Sequence, residues 1–247
     1  MAIPDSLVKV LEDSEPAALA FSGGTDSSYL LYACVRSGID CVPYIFRTEF
    51  QKGRELERAQ ALCAQLGADL RIIETSVLDG TISANTSDRC YLCKRRLFET
   101  LIKYSDGRTV MDGTNASDDY SARPGMRALI ELNVRSPLRE AGITKNQVRQ
   151  LSKEAGLSTW NLPSDSCLAT RIPTFTPITS ELLQRTEKAE TEIEMLGFTD
   201  FRVRTVQGGA LLELSPEDKI LLESCSETVE KVLLKYYDGV SYGERRR

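Results

Sequence analysis

The stretch Asp88-Arg89-Cys90-Tyr91-Leu92-Cys93-Lys94 sets two thiols in a C-x-x-C pair just ahead of a helical pattern, in a chain with no histidine. A structural zinc site wants a fourth nitrogen or sulfur ligand, and no imidazole exists to provide one. Of the seven cysteines, Cys34, Cys41, Cys63 and Cys225 lie in apolar helix or strand patterns and read as small core residues. Cys90, Cys93 and Cys167 sit among polar and turn-forming residues. Three thiolates without a fourth protein ligand suit an iron–sulfur cluster with one open iron. Zinc and unmetallated surface thiols fit the spacing as well, and a reversible disulfide is a further use of such a pair. Spacing leaves these readings open.

A second candidate is Ser22-Gly23-Gly24-Thr25-Asp26-Ser27-Ser28, which follows the apolar run Ala17–Phe21 and leads straight into helical spacing. Glycines let a backbone turn tightly and approach a ligand. The free amides and dipole of the helix that follows favour an anion there. A plain strand-to-helix turn capped by Asp or Ser has the same look. The loop carries no lysine, so it is neither G-x-x-x-x-G-K-[ST] nor G-x-G-x-x-G.

The elements that must position these residues alternate over the first two-thirds of the chain. Strand patterns at 17–21, 41–46, 70–74 and 109–111 are interleaved with helical patterns at 27–36, 53–66, 92–104 and 145–155. Such alternation implies a parallel sheet with helices on both faces, with ligands outside the carboxyl ends of the strands. Trp160-Asn161-Leu162-Pro163 reads as a linker. Beyond it come a long amphipathic helix (180–196), a hairpin (200–206 and 210–214) around Gly208-Gly209, and a helix from Pro216 towards Leu234. The expected fold class is α/β: a Rossmann-like domain over residues 1–160 and a smaller α+β domain over 161–247. The end, Glu244 to Arg247, reads as a frayed tail.

With 247 residues, 41% apolar and 27% charged, the composition is that of an ordinary globular protein. The net charge of −5 argues against nucleic-acid or membrane-surface partners, which usually meet a basic footprint. No apolar run reaches about 18 residues and no leader pattern opens the chain, so a cytoplasmic protein with reduced thiols is expected.

The loop matches S-G-G-x-D-S, the motif of the PP-loop ATP pyrophosphatases, an adenine nucleotide α-hydrolase-like fold. The resemblance implies that Ser22, Gly23, Gly24, Ser27 and Ser28 cradle the pyrophosphate end of ATP and that Asp26 helps to hold Mg²⁺. Met111-Asp112-Gly113-Thr114-Asn115 resembles the strand end of that family and adds Gly113 to the nucleotide site. The segment from Ser136 to Val148 resembles its P-L…K…V stretch.

Taken in order, S-G-G-T-D-S, C-Y-L-C-K, D-G-T-N…D-D-Y-S-A-R-P-G, S-C-L-A-T-R-I-P, L-G-F and R-V-R make the whole chain similar to the LarE family. Those enzymes supply sulfur for a nickel-pincer nucleotide cofactor. In some members one cysteine gives up its own sulfur; in others three cysteines hold a [4Fe-4S] cluster whose free iron carries an extra sulfide. This chain resembles the second kind, with Cys90, Cys93 and Cys167 as ligands. The resemblance further makes Lys94 and Arg171 reacting-group neighbours, beside Cys167 and Asp26. It makes Thr170, Arg171, Glu190, Arg202 and Arg204 substrate contacts, the last two as a pair facing a phosphate. It implies ATP-dependent sulfur transfer to an adenylylated carboxylate of a pyridinium mononucleotide, a small-molecule substrate, and a homo-oligomer; the sulfur donor it leaves unidentified. The carboxyl end, Leu234 to Gly243, departs from the longer family pattern, so no contact is assigned to it. Two rivals stand beside this reading. A PP-loop tRNA thiolase would bind RNA in a salt-dependent way. A non-catalytic nucleotide-binding protein would use the three cysteines for structural zinc.

Overall fold

The computed structural model describes residues 2–119 and 124–245. Tyr120 to Arg123 of the D-D-Y-S-A-R-P-G stretch, and Arg246 and Arg247 of the tail, lie outside the described residues. The chain begins with α1 (Asp5–Glu12), β1 (Ala17–Ala20), α2 (Thr25–Ser37), β2 (Cys41–Arg47), α3 (Gly53–Leu66) and β3 (Arg71–Glu74). Next come α4 (Gly80–Ser83), α5 (Arg89–Tyr104), β4 (Thr109–Met111), α6 (Gly125–Glu131), α7 (Pro137–Glu140) and α8 (Lys145–Glu154). Last are α9 (Ser180–Met195), β5 (Phe201–Val206), β6 (Gly209–Leu214), α10 (Pro216–Leu233) and β7 (Val240–Glu244), with 3-10 turns at Ser158–Asn161 and Leu168–Arg171. Two compact units divide the chain. One takes the residues up to Thr48, Gly53–Ser76 and Asp88–Leu162; the other takes Glu49–Lys52, Val77–Ser87 and everything from Pro163.

The first unit is built on a parallel sheet in the order β3-β2-β1-β4. Successive residues of a strand point to opposite faces. Ala17 and Leu19 therefore join Leu7, Leu11, Leu30 and Leu31 in one core, while Ala18 joins Tyr44, Ile73, Phe98 and Leu101 in another. Both faces are covered, as a parallel sheet requires. The chain steps outward from β1 to β3 and then returns to lay β4 on the other side of β1. The reversal falls between the carboxyl ends of β1 and β4, where ligands of such sheets bind. One boundary differs from the sequence pattern. Helix α5 starts at Arg89, so Cys90 and Cys93 lie inside its first turns and not ahead of it; its N-cap Asp88 makes no side-chain capping bond, so the start has no local signature.

In the second unit, Phe201 and Val203 of β5 with Ala210, Leu212 and Leu214 of β6 pack against α9 and α10. Gln207 (φ 48°) and Gly208 (φ 84°) are the turn residues of the hairpin. Positive φ at both is the type I′ geometry whose twist matches paired strands. The turn thus sits one residue earlier than Gly208-Gly209. A third strand, β7, runs parallel beside β6, and the Arg245 amide donates to Leu214 O at 3.0 Å. The chain through Arg245 is therefore part of the sheet and its margin, in place of the frayed end the sequence implied. Helix α10 is broken at Cys225 (φ −141°), so the expected single helix is two. Among the described residues no helix is long and apolar enough to cross a membrane.

Candidate functional site

Between β1 and α2 the backbone turns through Gly23 at φ 67°, where an added Cβ would lie 3.3 Å from Ala59 Cβ. Only glycine satisfies both the left-handed turn and the close approach of α3. Arg58 Nε donates to Gly23 O at 3.0 Å, and Thr25 Oγ1 donates to Thr159 O at 2.8 Å, fixing the loop from outside. Gly24 caps α2 with no side chain, so its first-turn amides lack a side-chain cap, and the positive end of the helix dipole faces the loop.

Asp26 in that first turn is half-satisfied. Its Oδ2 accepts from Lys145 Nζ at 2.6 Å, while its buried Oδ1 has no hydrogen-bond partner, and neither does buried Ser28 Oγ. Burial pushes the Asp26 carboxyl above its usual range; Lys145 opposes this and Asp118 adds to it. Lys145 opens α8, whose start is fixed by a capping box between Thr144 and Gln147. Opposite the loop, a Cβ on Gly113 would stand 2.9 Å from Ser27 N, so D-G-T-N and the glycine loop meet at the switch point between β1 and β4. Buried Asp112 holds that strand end by accepting from Thr114 Oγ1 (2.6 Å) and Ser136 Oγ (2.7 Å). Lys94 Nζ lies 3.7 Å from Asp112 Oδ2. Cys90, exposed, and Cys93, half-buried, are one helical turn apart, and residues so spaced share a helix face.

The second unit holds a different arrangement. Arg171 is fully buried and donates to Glu190 (Nε–Oε1 2.8 Å), to Asp165 (Nη2–Oδ1 2.8 Å) and to Ser166 O (2.7 Å). Lys52 Nζ stands 2.7 Å from both Asp165 Oδ2 and Glu190 Oε2. Burial disfavours charge on Glu190 and Asp165, but Arg171 and Lys52 outweigh it and hold both carboxyls below their usual range. Half-buried Cys167 precedes the 3-10 turn that carries Arg171. Arg204 donates to Glu213 (2.7 Å) and Thr170 O (2.6 Å). Arg202, on the same strand face, has a buried Nε without a partner, and burial, Arg171 and Arg204 all disfavour its charge.

Over 223 residues, 87% of this chain and 80% of the relative, the sequence is 33% identical to the pyridinium-3,5-bisthiocarboxylic acid mononucleotide synthase of Lactiplantibacillus plantarum. The chain belongs to the LarE family. It is also 35% identical over 218 residues to an uncharacterized protein of Synechocystis sp., covering 86% of this chain and 81% of that one. A shorter match, 31% identical over 71 residues, links 29% of the chain to 28% of a 7-cyano-7-deazaguanine synthase of Chromohalobacter salexigens. No family model matches.

For this LarE-family chain, the structure brings Ser22, Gly23, Gly24, Asp26, Ser27, Ser28 and Gly113 together at one switch point. It brings Thr170, Arg171, Glu190 and Arg204 together around the Cys167 turn. Cys90, Cys93 and Lys94 belong to the first unit and Cys167 to the second. Among the described residues, neither unit by itself gathers three or more Cys, Asp or Glu side chains into a metal-binding arrangement. Arg58, Lys52 and Asp165 belong to none of the motifs in the sequence: Arg58 acts on Gly23, 35 positions away, and Lys52 pairs with Asp165, 113 positions away. Asp118 falls in the D-D-Y-S-A-R-P-G stretch, but its influence on Asp26 is not legible there.

Proposed function

We propose that this protein uses ATP to activate a carboxylate of a pyridinium mononucleotide and replaces one carboxylate oxygen with sulfur. The observation that carries the reading is at the α2 terminus: Asp26 Oδ1 and Ser28 Oγ are buried without protein partners beside a glycine cradle. Buried polar atoms are rarely left unpaired, and two of them beside a glycine turn at a helix N-terminus suit a ligand that brings charge and oxygen atoms. A hard oxygen of this kind fits Mg²⁺, with Asp26 as the holding residue; bound there, the ion would screen phosphate charge. Ser22, Ser27, Ser28 and the α2 amides would receive the β- and γ-phosphates. The substrate carboxylate attacks the α-phosphorus, the bond to the β-phosphate breaks, and pyrophosphate leaves with its charge stabilised by the loop. In the second step the carbonyl carbon gains sulfur and the oxygen departs with AMP.

Cys90, Cys93 and Cys167 are the proposed thiolate ligands of a [4Fe-4S] cluster. A thiol-only donor set, with two members on one helix face, matches iron–sulfur ligation. When bound, that group supplies the transferable sulfide. Arg202, with its unpartnered Nε, and Arg204 would hold the substrate phosphate. Arg171, Glu190 and Thr170 would support the second unit's part of the site.

The test is to incubate anaerobically purified protein with ATP, Mg²⁺ and the pyridinium biscarboxylate mononucleotide. Pyrophosphate release together with an oxygen-to-sulfur mass change in the nucleotide is the expected result. Pyrophosphate release without that change would remove the sulfur step. Tight RNA binding that weakens with salt would favour a tRNA acceptor. Stoichiometric zinc with no pyrophosphate release would make the cysteines structural.

A further inference from the structure

Lys52 comes from the short segment Glu49–Lys52, which belongs to the second unit although it lies between β2 and α3 in the sequence. It is only 5% exposed. Its ammonium bridges Asp165 and Glu190, and Arg171 bridges the same two carboxylates from the other side. The four side chains form a ring of alternating sign in which each carboxylate uses both oxygens and the charges cancel.

From this ring the bonds run to the turn around Cys167. Arg171 Nη1 donates to Ser166 O (2.7 Å), Ser166 Oγ (2.8 Å) and Thr170 Oγ1 (3.0 Å), and Thr170 Oγ1 donates to Cys167 O at 2.9 Å. The Ser166 amide donates to Asp165 Oδ1 at 2.9 Å. On the far side of the cysteine, the Leu168 amide donates to Phe50 O at 2.8 Å, two residues before Lys52. Every neighbour of Cys167 from 165 to 171 that bears a polar side chain is thus tied to the ring. Well-packed apolar residues of similar volume would hold a fold as well as a buried ion ring does. They lack direction, whereas charge-assisted bonds fix angles as well as distances. Such a ring suits a loop whose one side chain must be held in one place.

We propose that Lys52 and Asp165 are positioning residues for Cys167, completing with Arg171 and Glu190 a neutral ring that holds the Cys167 turn in its working geometry. The inference rests on the reading of Cys167 as a working thiol, and its test separates the two.

The test compares full-length wild type with Lys52→Met, Lys52→Arg, Asp165→Asn and Cys167→Ala. Three quantities are read: the kcat and KM for sulfur transfer, the rate at which iodoacetamide alkylates Cys167 in the metal-free protein (by peptide mass spectrometry), and the melting curve. Misplacing a reacting group by about an ångström costs up to roughly 100-fold in rate. Lys52→Met is therefore expected to lower kcat at least about tenfold with the KM for ATP within about twofold, and to raise Cys167 alkylation about fivefold. Lys52→Arg, which keeps the charge, is expected to recover most of both losses. Asp165→Asn keeps the shape, and its site is 30% exposed; it should act in the same direction and carries the test if Lys52→Met does not melt cooperatively. A folded variant with kcat and Cys167 alkylation both at wild-type values overturns the proposal. If Cys167→Ala transfers sulfur at the wild-type rate, the working-thiol reading fails, and the alkylation rates alone decide the positioning claim.

Discussion

Asp26 and Glu190 are both helix carboxylates facing a basic partner, one in each unit, and they are treated in opposite ways. Asp26 has Lys145 on one oxygen and nothing on the other. Glu190 is met by Arg171, Lys52 and the Val203 amide at once. Burial wins at Asp26 and raises its pKa; the neighbouring cations win at Glu190 and lower it. A carboxylate left short of partners is poised for something that arrives, whereas one with all its partners is framework. This contrast favours the proposed ligand role for the first unit's acid and a bracing role for the second unit's acid, even though the family resemblance groups Asp26 and Arg171 as catalytic and Glu190 as a substrate contact.

Removing a brace should show first in stability. Arg171→Met leaves buried Glu190 and partly exposed Asp165 sharing one lysine, and breaking a buried pair such as Arg171–Glu190 costs about 3–5 kcal/mol. Chemical denaturation should show that loss, while ATP affinity, which the proposed function assigns to the first unit, should stay unchanged. A loss under about 1 kcal/mol would make the ring ornamental. Asp26→Asn should do the reverse. Pyrophosphate release is expected to fall about 10²–10³-fold, with no loss of melting temperature. Equal damage to folding would erase the contrast. Gly113→Ala sharpens it more gently. The new methyl meets backbone at Ser27 N, which cannot swing away as a side chain can. A local shift costing about 1–3 kcal/mol should appear as weaker ATP binding in calorimetry, with Cys167 alkylation unaltered.

The parts of the molecule readable in the sequence are those whose cause is local. The glycine loop, the alternation of strands and helices, and the hairpin all depend on residues a few positions apart. The α3 pattern from Gly53 to Leu66 and the β4 pattern from Thr109 to Met111 coincide with the elements found. The strand β7 was not legible, because Val240-Ser241-Tyr242-Gly243-Glu244 has little alternation and finds its register only against β6. Lys52 looks like any solvated lysine in Gln51-Lys52-Gly53; its partner Asp165 is 113 positions away. The orphan oxygen of Asp26 was equally hidden, since a motif states which residue type is present and says nothing of which lone pair is vacant.

Acid titration offers the finest test of the comparison, carried out without metal or nucleotide. Burial holds the folded Asp26 carboxyl above the usual aspartate range. Its charge therefore opposes folding at neutral pH, and the stability it withholds returns as pH falls through that raised value. Asp26→Asn should accordingly be slightly more stable than wild type at pH 7, and the gain should vanish on acidification. Arg171 and Lys52 outweigh burial and hold the folded Glu190 carboxyl below the usual glutamate range. Its contribution is fully present above the pKa of the unfolded chain and is lost as pH falls through the lowered, folded one. Glu190→Gln should thus be less stable than wild type at pH 7, with a deficit that shrinks on acidification. Two melting series against pH, one per variant, would have opposite signs at neutrality and would each converge on wild type in acid. If both variants lose stability at pH 7, Asp26 is a brace like Glu190, and its unpaired Oδ1 no longer supports the proposed ATP and metal site.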